Sequence, residues 1–452
     1  MIKSILSILS ATALIAMSAA SVRASENILG IDGEQSTSVG IYIKDLCSGK
    51  VIIDHNSQMA LTPASVMKAI TTASALSVRG DDYTFATPVL LRGRAEGSTW
   101  HGDIVVRTCA DPTIESENFK SRLGFCDSIA AAVKKAGITS VTGRIVVEEP
   151  LRDAGPIAQW EIEDVAWPYG AGLFGMNWRD NTFRLWPATG KTEPEVPGLD
   201  VDLVRSPSGN DLVRGIGSNR LIVYARSTTD RKWCVSTSMP DPAAVFALEL
   251  KKTLKKKGIA LNEKKNAAGE TPKERTVYTH RSAPFGEIMR SLMVRSDNLF
   301  AEGILRSISP QSSRKDVIKR EKELWATRGI NTKYTIINDG SGLTRGNRLS
   351  ARFIGDVLEW MAKSEMADTY ASFFPRAGKE GTLRGFLAKS TLKGQIALKT
   401  GSVSAVQAYA GYKLDADGKP THIIVILVNG FFCPRRQVRE GAENLLINTF
   451  AK

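Results

Sequence analysis

The feature that most constrains the fold is a change of residue pattern along the chain. Residues 25–84 and 240–452 contain long stretches with helical periodicity beside strand-like runs, whereas residues 85–239 contain short strand-like runs separated by glycine, proline and asparagine. Chain ends often lie close together, and insertions are tolerated in surface loops. The sequence therefore predicts an α/β (α+β) domain, formed by the two outer parts, that is interrupted by a β-rich insertion at residues 85–239.

Individual elements can be predicted near both ends of the chain. The run ASVMKAITTASAL is apolar and free of glycine and proline, and it follows Thr62, which suits a helix cap, and Pro63, which suits a first helical turn. Near the C-terminus, QIALKTGSVSAV, QAYAGYKLDADG and KPTHIIVILVNG indicate three strands in an antiparallel meander. We therefore expect a buried helix early in the chain and a sheet late in it.

The first 24 residues have the pattern of a secretory signal peptide. A positively charged start precedes an apolar run, and Val22-Arg23-Ala24 ends with small residues of the kind that signal peptidase recognises. A membrane anchor is the alternative, but the apolar run is short and rich in serine. We expect cleavage after Ala24, a periplasmic location, and no stable membrane span once the signal is removed.

Composition limits the classes of partner and cofactor. The net charge of +13 favours an anionic partner, but the lysines are scattered and no basic block alternates with aromatic residues, so we expect no nucleic-acid binding. The four histidines are far apart and no C-x-x-C occurs, so we expect neither a metal site nor a cofactor. Export would expose the five cysteines to an oxidising compartment, and Cys109 and Cys126, which are close in sequence, are the candidate disulfide.

Three short motifs occur in the outer parts of the chain. Ser-x-x-Lys occurs at Ser65, Ser312 and Ser390, but only Ser65 begins an apolar helix. Ser-Asp-Asn occurs once, at residues 296–298 in a stretch with helical periodicity, and Lys-Thr-Gly occurs once, at residues 399–401 on a predicted strand. Each motif alone is easily a chance match, whereas all three in this order behind a signal peptide form a specific combination.

The spacing of Ser65 and Lys68 has a chemical interpretation. Residues three apart lie on one face of a helix. A serine hydroxyl is a poor nucleophile until a base removes its proton, and a lysine amine can be that base only if its pKa falls from about 10.4. Burial lowers such a pKa, and so does nearby positive charge, which Lys399 can supply. In isolation, an ordinary helix surface explains the pair better, and only the complete motif set favours catalysis.

Together the motifs resemble those of class A β-lactamases and penicillin-binding proteins. Ser296 follows Ser65 by 231 residues, and Lys399 follows Ser296 by 103 residues. The long first gap resembles the class C low-molecular-mass penicillin-binding proteins, the penicillin-binding protein 4 type of D-alanyl-D-alanine carboxypeptidase/endopeptidase. Similar stretches cover nearly the whole mature chain: PASVMK, WPYGAG followed by NWRDN, NDGSGLTRGNRLS, AGKEGTLRG and KTGSVSAVQAYAGY. The sequence CADPTI departs from the pattern of this family, in which residues richer in glycine are expected before Asp-Pro-Thr.

The resemblance implies a serine β-lactamase/transpeptidase-like catalytic domain and a role for each motif residue. Ser65 would be the nucleophile and Lys68 its base, while Ser296 would pass a proton to the leaving amine. Asn298 would hold the substrate amide, and Lys399 would guide the substrate carboxylate and relay protons. The remaining residues of the third motif would bind substrate: Thr400, Gly401 and Ser402. Asp297 would have a structural role. A tight turn with a capping aspartate explains Asp339 and Ser341 about as well as catalysis does.

The resemblance also implies a function. We expect a periplasmic serine carboxypeptidase/endopeptidase that cleaves peptidoglycan stem peptides or crosslinks through a Ser65 acyl-enzyme. Its expected partners are peptides ending in D-Ala-D-Ala and β-lactam antibiotics, which inhibit it. The alternatives are a β-lactamase or a transpeptidase of the same superfamily, or a wall-binding scaffold without activity. No E-x-x-L-N sequence lies between Ser296 and Lys399, which favours slow deacylation over β-lactamase activity.

Overall fold

The computed structural model describes residues 27–263 and 273–451. The signal peptide predicted at residues 1–24 lies outside these ranges. The α-helices within them are α1 (Met67–Arg79), α2 (Phe125–Lys135), α3 (Ile162–Val165), α4 (Pro242–Lys256), α5 (Phe285–Arg295), α6 (Asn298–Ser307), α7 (Arg314–Thr327), α8 (Ala351–Ala362), α9 (Ala367–Ser372) and α10 (Arg435–Phe450). None of these helices is both long and apolar enough to cross a membrane.

The β-strands of the same ranges form several separate sheets. In chain order they are β1 (Ser38–Asp45), β2 (Val51–His55), β3 (Ala60–Leu61), β4 (Ala86–Glu96), β5 (Thr99–Arg107), β6 (Ser140–Val141), β7 (Ile145–Glu148), β8 (Thr182–Trp186), β9 (Lys191–Glu193), β10 (Asp200–Arg205), β11 (Asp211–Arg214), β12 (Arg220–Ala225), β13 (Val235–Ser238), β14 (Ala260–Leu261), β15 (Glu274–Arg281), β16 (Leu349–Ser350), β17 (Ile396–Val403), β18 (Val406–Leu414) and β19 (Pro420–Asn429).

Both ends of the chain contribute to one five-stranded sheet. Its order is β17-β18-β19-β1-β2, and every neighbouring pair is antiparallel. The apolar run of β19 is buried on both faces, because Ile423 and Val425 pack with the core around α1, whereas Ile424 and Ile426 pack with the core that includes α10. Helices therefore cover both faces of the sheet, and the predicted mixed α/β fold with its C-terminal meander is confirmed.

Helix α1 lies at the centre of this domain. Every residue from Met67 to Leu76 is buried, and the helix contacts α5, α6 and α8. A helix that is buried on all sides needs apolar or small residues all round, which its sequence supplies. The buried helix predicted early in the chain is therefore present, and it holds the first motif inside the protein.

The middle of the chain forms a β-rich unit with its own core. One sheet has the order β14-β6-β5-β4-β15, with β7 paired to β5, and two three-stranded sheets have the orders β10-β12-β11 and β13-β8-β9. Phe125, Trp178 and Phe246 are fully buried among them, with the ring centroids of Phe125 and Phe246 5.6 Å apart. The insertion is thus held together by a hydrophobic cluster distinct from the one around α1.

Two elements beyond the predicted boundary at residue 239 pack with the insertion. Helix α4 packs Phe246 and Leu250 into the core of the insertion, and β15 pairs antiparallel with β4. Pairing between strands so far apart in sequence has no local signal. We therefore propose that the insertion spans residues 85–281 and that the catalytic domain comprises residues 25–84 and 282–452.

The predicted disulfide between Cys109 and Cys126 is wrong, because all five cysteines are free. Cys109 lies 3.5 Å from the hydroxyl of Thr87 and packs against the core around α1. Cys126 lies on α2 within the core of the insertion. The two thiols belong to different hydrophobic clusters, so closeness in sequence did not bring them within bonding distance.

Candidate active site

Ser65 lies in the short 3-10 helix Ala64–Val66, which leads directly into α1. The backbone at Ala64 has a φ of +47°, a left-handed conformation that is strained for a residue with a Cβ. Thr62 does not cap this turn as predicted, because its N–H donates to Asn429 Oδ1 at 2.8 Å and no side chain caps the helix. The start of the helix is therefore held by β19 rather than by a local cap.

The side chain of Lys68 is fully buried, and its amine contacts three oxygen atoms. Lys68 Nζ lies 2.9 Å from Ser65 Oγ. It also donates hydrogen bonds to Asn298 Oδ1 and to the carbonyl oxygen of Ser341, each at 2.6 Å. The structure therefore brings the predicted nucleophile and its base together with Asn298 of the second motif.

The second motif lies at a break between two helices, not inside one continuous helix as its periodicity indicated. Ser296 ends α5 in a left-handed conformation with a φ of +63°. Asp297 caps α6 by accepting a hydrogen bond from the N–H of Phe300 at 3.0 Å, which is the structural role predicted for it. Apolar residues with helical spacing lie on both sides of the polar stretch from Arg295 to Asn298, so the pattern resembles one continuous helix and hides the turn that brings Ser296 and Asn298 to the site.

The amide of Asn298 is held at both ends. Its Oδ1 accepts a hydrogen bond from Lys68 Nζ, and its Nδ2 donates to the carbonyl oxygen of Tyr169 at 2.7 Å. Tyr169 belongs to the 3-10 helix Pro168–Gly170 of the insertion. The insertion therefore contributes a backbone atom that fixes which end of the amide faces the lysine.

Strand β17 carries the third motif at the edge of the sheet. Lys399 is fully buried, and its Nζ donates to Ser296 Oγ at 2.9 Å and to the carbonyl oxygen of Thr400 at 2.6 Å. Side chains alternate along a strand, so Lys399 and Gly401 face α1 while Thr400 and the exposed Ser402 face the other side. The predicted substrate-binding residues thus line the two faces of one edge strand.

Gly401 allows β17 to approach the nucleophile turn closely. A Cβ on Gly401 would lie 2.6 Å from the carbonyl oxygen of Pro63 and 3.0 Å from the backbone nitrogen of Ser65. These separations are shorter than carbon atoms tolerate, so a side chain would push the strand away. The glycine of the third motif is therefore required for packing against Ser65.

Burial lowers the pKa of both lysines. Desolvation lowers the pKa of Lys68 to about 8, against the carboxylates of Asp339, Asp297 and Glu302, which raise it. Desolvation lowers the pKa of Lys399 well below its usual range, and the positive charge of Lys68 lowers it further. Burial, which the sequence predicted as a cause, has the largest effect on Lys68, and the three carboxylates that oppose it were not predicted.

Glu302 is a site residue that the sequence analysis missed. Its Oε1 accepts hydrogen bonds from the N–H groups of Gly340 at 3.0 Å and Ser341 at 2.9 Å, and the side chain is buried. These bonds hold the carbonyl group of Ser341 within reach of Lys68. The only sequence signal is an acidic residue on the buried helix α6, six positions after Ser296.

Asp339 organises the loop that carries Ser341. Its Oδ1 accepts from the N–H of Gly342 at 2.8 Å, and its Oδ2 accepts from the N–H of Thr344 at 2.8 Å. Trp160 of the insertion donates its Nε1–H to the same Oδ2 at 2.9 Å. The side chain is fully buried, so the turn interpretation of Asp339 agrees with its contacts.

The groups brought together suit nucleophilic acyl transfer. A serine hydroxyl lies beside a buried amine of lowered pKa, and a second serine–lysine contact lies next to it. Among the residues that the structure describes, no group of three or more histidine, cysteine, aspartate or glutamate side chains could hold a metal ion.

Known families and proteins support the same assignment. The sequence model of the D-Ala-D-Ala carboxypeptidase 3 (S13) family matches residues 29–446. The D-alanyl-D-alanine carboxypeptidase DacB of Haemophilus influenzae is 24% identical over 424 residues, which cover 88% of this chain and 86% of that protein. The D-alanyl-D-alanine carboxypeptidase of Actinomadura sp. strain R39 is 25% identical over 420 residues, which cover 85% of this chain and 77% of that protein.

Solved structures confirm the fold. The crystal structure of penicillin binding protein 4 from Haemophilus influenzae is similar with a TM-score of 0.78 at 23% identity, covering 92% of this chain and 96% of that one. The same protein in complex with a β-lactam is similar with a TM-score of 0.73, at the same identity and coverage. The chain therefore shares its fold with a penicillin-binding protein.

Proposed function

The chain belongs to the D-Ala-D-Ala carboxypeptidase 3 (S13) family, and we propose that Ser65 is the nucleophile with which it cleaves peptidoglycan peptides ending in D-Ala-D-Ala. It is accordingly a serine-type D-alanyl-D-alanine carboxypeptidase. The residue assignment is carried by one observation, the contact of 2.9 Å between Lys68 Nζ and Ser65 Oγ inside a buried set of oxygen acceptors.

The three contacts of Lys68 support its role as the base. A neutral amine has two N–H groups and one lone pair. Asn298 Oδ1 and the carbonyl oxygen of Ser341 can only accept, so they take the two N–H groups. The lone pair is then left for the hydroxyl proton of Ser65. With a pKa of about 8, about a tenth of Lys68 is neutral at pH 7.

Acylation then follows a balanced path. Ser65 Oγ bonds to the carbonyl carbon of the penultimate D-alanine while its proton passes to Lys68 Nζ. The bond to the leaving amine breaks as that amine takes a proton from Ser296 Oγ, which Lys399 Nζ holds at 2.9 Å, and the proton that Lys68 accepted then passes to Ser296, so both groups return to their starting forms. Terminal D-alanine leaves, and water hydrolyses the ester on Ser65 to regenerate the enzyme.

Substrate would bind along the edge of β17. The first half of β17 has an isolated antiparallel bridge between Arg376 and Ala397 on its outer edge, so a substrate backbone would add to the second half, beside Thr400 and Ser402. The hydroxyl groups of Thr400 and Ser402 would bind the terminal carboxylate. The backbone N–H groups of Ser65 and Ser402 would form the oxyanion hole, and Gly401 keeps the two close.

The proposed location is the periplasm, where peptidoglycan is accessible. The support is the signal-peptide pattern of residues 1–24 and the match to carboxypeptidases of the cell wall. We also propose that β-lactams acylate Ser65, because a β-lactam complex of the similar Haemophilus influenzae protein is known. Both the carboxypeptidase and the endopeptidase reaction would use the same acyl-enzyme.

Mass spectrometry after incubation with penicillin tests the nucleophile. We expect one adduct on the peptide that contains Ser65, and release of D-alanine from a pentapeptide by the untreated protein. The variant Ser65→Ala should form no adduct and release no D-alanine. Ser390→Ala is the matched control, because Ser390 begins another Ser-x-x-Lys sequence and should leave both results unchanged. An adduct on any other residue, or full activity in Ser65→Ala, would refute the assignment.

A further inference from the structure

Arg214 is a buried arginine in the core of the insertion. It is the last residue of β11, and only 3% of it is exposed. Burial lowers the pKa of its guanidinium to about 10. Within the described ranges, no carboxylate pairs with it and its Nε has no hydrogen-bond partner. A buried charge without a counter-ion lowers the stability of a fold, so the packing of the insertion does not explain why an arginine occupies this position.

The guanidinium of Arg214 donates to uncharged oxygen atoms. Its Nη2 lies 2.5 Å from the hydroxyl oxygen of Ser238 and 3.4 Å from the carbonyl oxygen of the same residue. Its Nη1 donates to the carbonyl oxygen of Ser218 at 3.4 Å. The contact with the Ser238 hydroxyl is the shortest of the three, as expected for a bond from a charged donor. The main partner of Arg214 is therefore the side chain of Ser238.

Ser238 extends this contact to the end of helix α3. Because an arginine can only donate, Ser238 Oγ accepts from Arg214 and directs its own proton to the carbonyl oxygen of Val165, at 2.5 Å. The hydroxyl of Thr237 and the N–H of Ser238 both donate to the carbonyl oxygen of Ala166, at 2.7 and 3.0 Å. The end of β13 therefore holds two consecutive carbonyl groups of the segment that follows α3.

This segment leads directly to the backbone atom that contacts the active site. Tyr169 follows Val165 by four residues, and its carbonyl oxygen accepts from Asn298 Nδ2 at 2.7 Å. The chain between them folds back tightly, because a Cβ on Gly170 would overlap the carbonyl oxygen of Asp164. A turn this compact has little room to deform, so a displacement of Val165 would also displace the Tyr169 carbonyl group.

We propose that Arg214 is a positioning residue of the active site. Through Ser238 it holds the segment that carries the Tyr169 carbonyl group. That carbonyl group fixes which end of the Asn298 amide faces Lys68. This inference rests on the proposed function, in which Lys68 is the base. The buried charge of the insertion then serves the geometry of the catalytic domain.

Arg214→Met tests the proposal, because methionine is of similar length but has neither a donor nor a charge. We expect acylation by a β-lactam to slow about tenfold. The midpoint of thermal unfolding should stay within about 3 °C of the native value or rise, since a buried unpaired charge is removed. A loss of rate without a loss of stability is a result that a purely structural role would not give.

Two further arginine variants serve as controls. Arg214→Lys keeps a charged donor for Ser238 Oγ, so it should retain at least about a third of the native acylation rate. Arg220→Met makes the same substitution on the neighbouring strand β12, where the side chain of Arg220 is 65% exposed and pairs with Asp202. This variant should acylate at the native rate.

A double variant identifies the route by which Arg214 acts. Asn298→Ala removes the amide, so adding Arg214→Met to it should lower the remaining acylation rate by less than about twofold. Ser238→Ala interrupts the same route at the next side chain. It should reproduce the loss of rate, and it provides the test if Arg214→Met does not fold.

The outcomes separate this inference from the proposed function. A native rate in Arg214→Met, no rescue in Arg214→Lys, or an equal fall with and without the Asn298 amide would overturn the positioning role. So would a native rate in Ser238→Ala. In each case, acylation of Ser65 in the native protein would continue to support the catalytic assignment. A native protein that no β-lactam acylates at Ser65 would overturn the proposed function, and the positioning role with it.

Discussion

The active site contains two serine–lysine pairs, Ser65–Lys68 and Ser296–Lys399, that look alike at close range. Each lysine is fully buried, and each amine lies 2.9 Å from its serine hydroxyl. Each pair also sits beside strained backbone, with a φ of +47° at Ala64 and +63° at Ser296. The two pairs differ in their place, because only Lys68 contacts Ser65, the proposed nucleophile, whereas Lys399 contacts Ser296.

The surroundings of the two amines differ. Carboxylates of Asp297, Glu302 and Asp339 raise the pKa of Lys68 against the effect of burial. Lys399 instead feels the positive charge of Lys68, which lowers its pKa beyond the effect of burial. Burial therefore lowers the pKa of both lysines, and the carboxylates keep that of Lys68 at about 8. The comparison teaches that the contact with Ser65 selects Lys68 as the proposed base, while neighbouring charges set the pH range in which its amine is neutral.

Replacing each lysine in turn is the strongest test of the different roles proposed for Lys68 and Lys399. We expect Lys68→Ala to lower the acylation rate by a β-lactam by about 10³-fold or more, since it removes the base. Lys399→Ala should lower it by about 10²-fold, because Ser296 can still bridge to the leaving group. Stopped-flow or gel-based acylation measures both, and thermal unfolding must show that both variants fold. A larger loss for Lys399→Ala would reverse the assignment.

The pH dependence of acylation gives the next largest effect. Only neutral Lys68 can accept the proton, and its pKa is lowered to about 8, so activity should rise as the pH rises through 8. Between pH 7 and pH 9 the neutral fraction grows about tenfold. The rate of acylation across this range, measured at constant ionic strength, checks the slope. A rate that is flat from pH 6 to pH 9 would mean that Lys68 is already neutral.

The sequence predicted the serine and lysine side chains of both pairs, but not the backbone atoms that contact them. Ser65, Lys68, Ser296 and Lys399 belong to short motifs whose residue types are needed for the chemistry. The carbonyl oxygen that orients Lys68 belongs to Ser341, and every residue carries such a group, so no residue pattern marks it. Backbone contacts of this kind become visible only in the folded chain.

Contacts between residues far apart in sequence could not be predicted for a related reason. Strand β15 pairs with β4 although the helices and strands of the whole insertion lie between them, and local patterns carry no record of such pairing. A buried carboxylate such as Glu302 looks in sequence like an ordinary exposed residue of a helix. The sequence thus predicted the mixed fold and an insertion, whereas the end of the insertion and the acidic surroundings of Lys68 needed tertiary structure.

Removing one carboxylate sharpens the comparison between the two lysines. Glu302→Gln keeps an oxygen that can accept from the N–H groups of Gly340 and Ser341 but removes the charge that raises the pKa of Lys68. Because burial raises the pKa of Glu302 only to about 6, the native side chain is ionised near pH 8. We expect the rise of acylation with pH to move about one unit lower, which increases the rate at pH 7 about fivefold.

The matched control for this shift is Glu321→Gln. Glu321 is also fully buried, on α7, but it is not among the carboxylates that raise the pKa of Lys68. Its variant should therefore keep the native pH profile. The interpretation of Glu302 as an electrostatic positioning residue fails if both variants shift the profile equally, or if Glu302→Gln lowers the rate at every pH.

The smallest expected effect concerns the hydrogen bond that Trp160 of the insertion donates to the carboxylate of Asp339. Trp160→Phe removes the hydrogen bond to Asp339 Oδ2, a bond to a charged acceptor that contributes about 1.5–3 kcal/mol. Trp325→Phe is the control, since Trp325 donates to the neutral hydroxyl of Ser74 at 2.8 Å, a bond that contributes about 0.5–1.5 kcal/mol. Chemical unfolding should show the larger loss of unfolding free energy for Trp160→Phe. Its acylation rate should stay within about threefold of the native rate, because the N–H groups of Gly342 and Thr344 still donate to the carboxylate of Asp339. Equal losses in the two variants would show that Asp339 does not depend on the insertion, and the acidic surroundings that distinguish Lys68 from Lys399 would then belong to the catalytic domain alone.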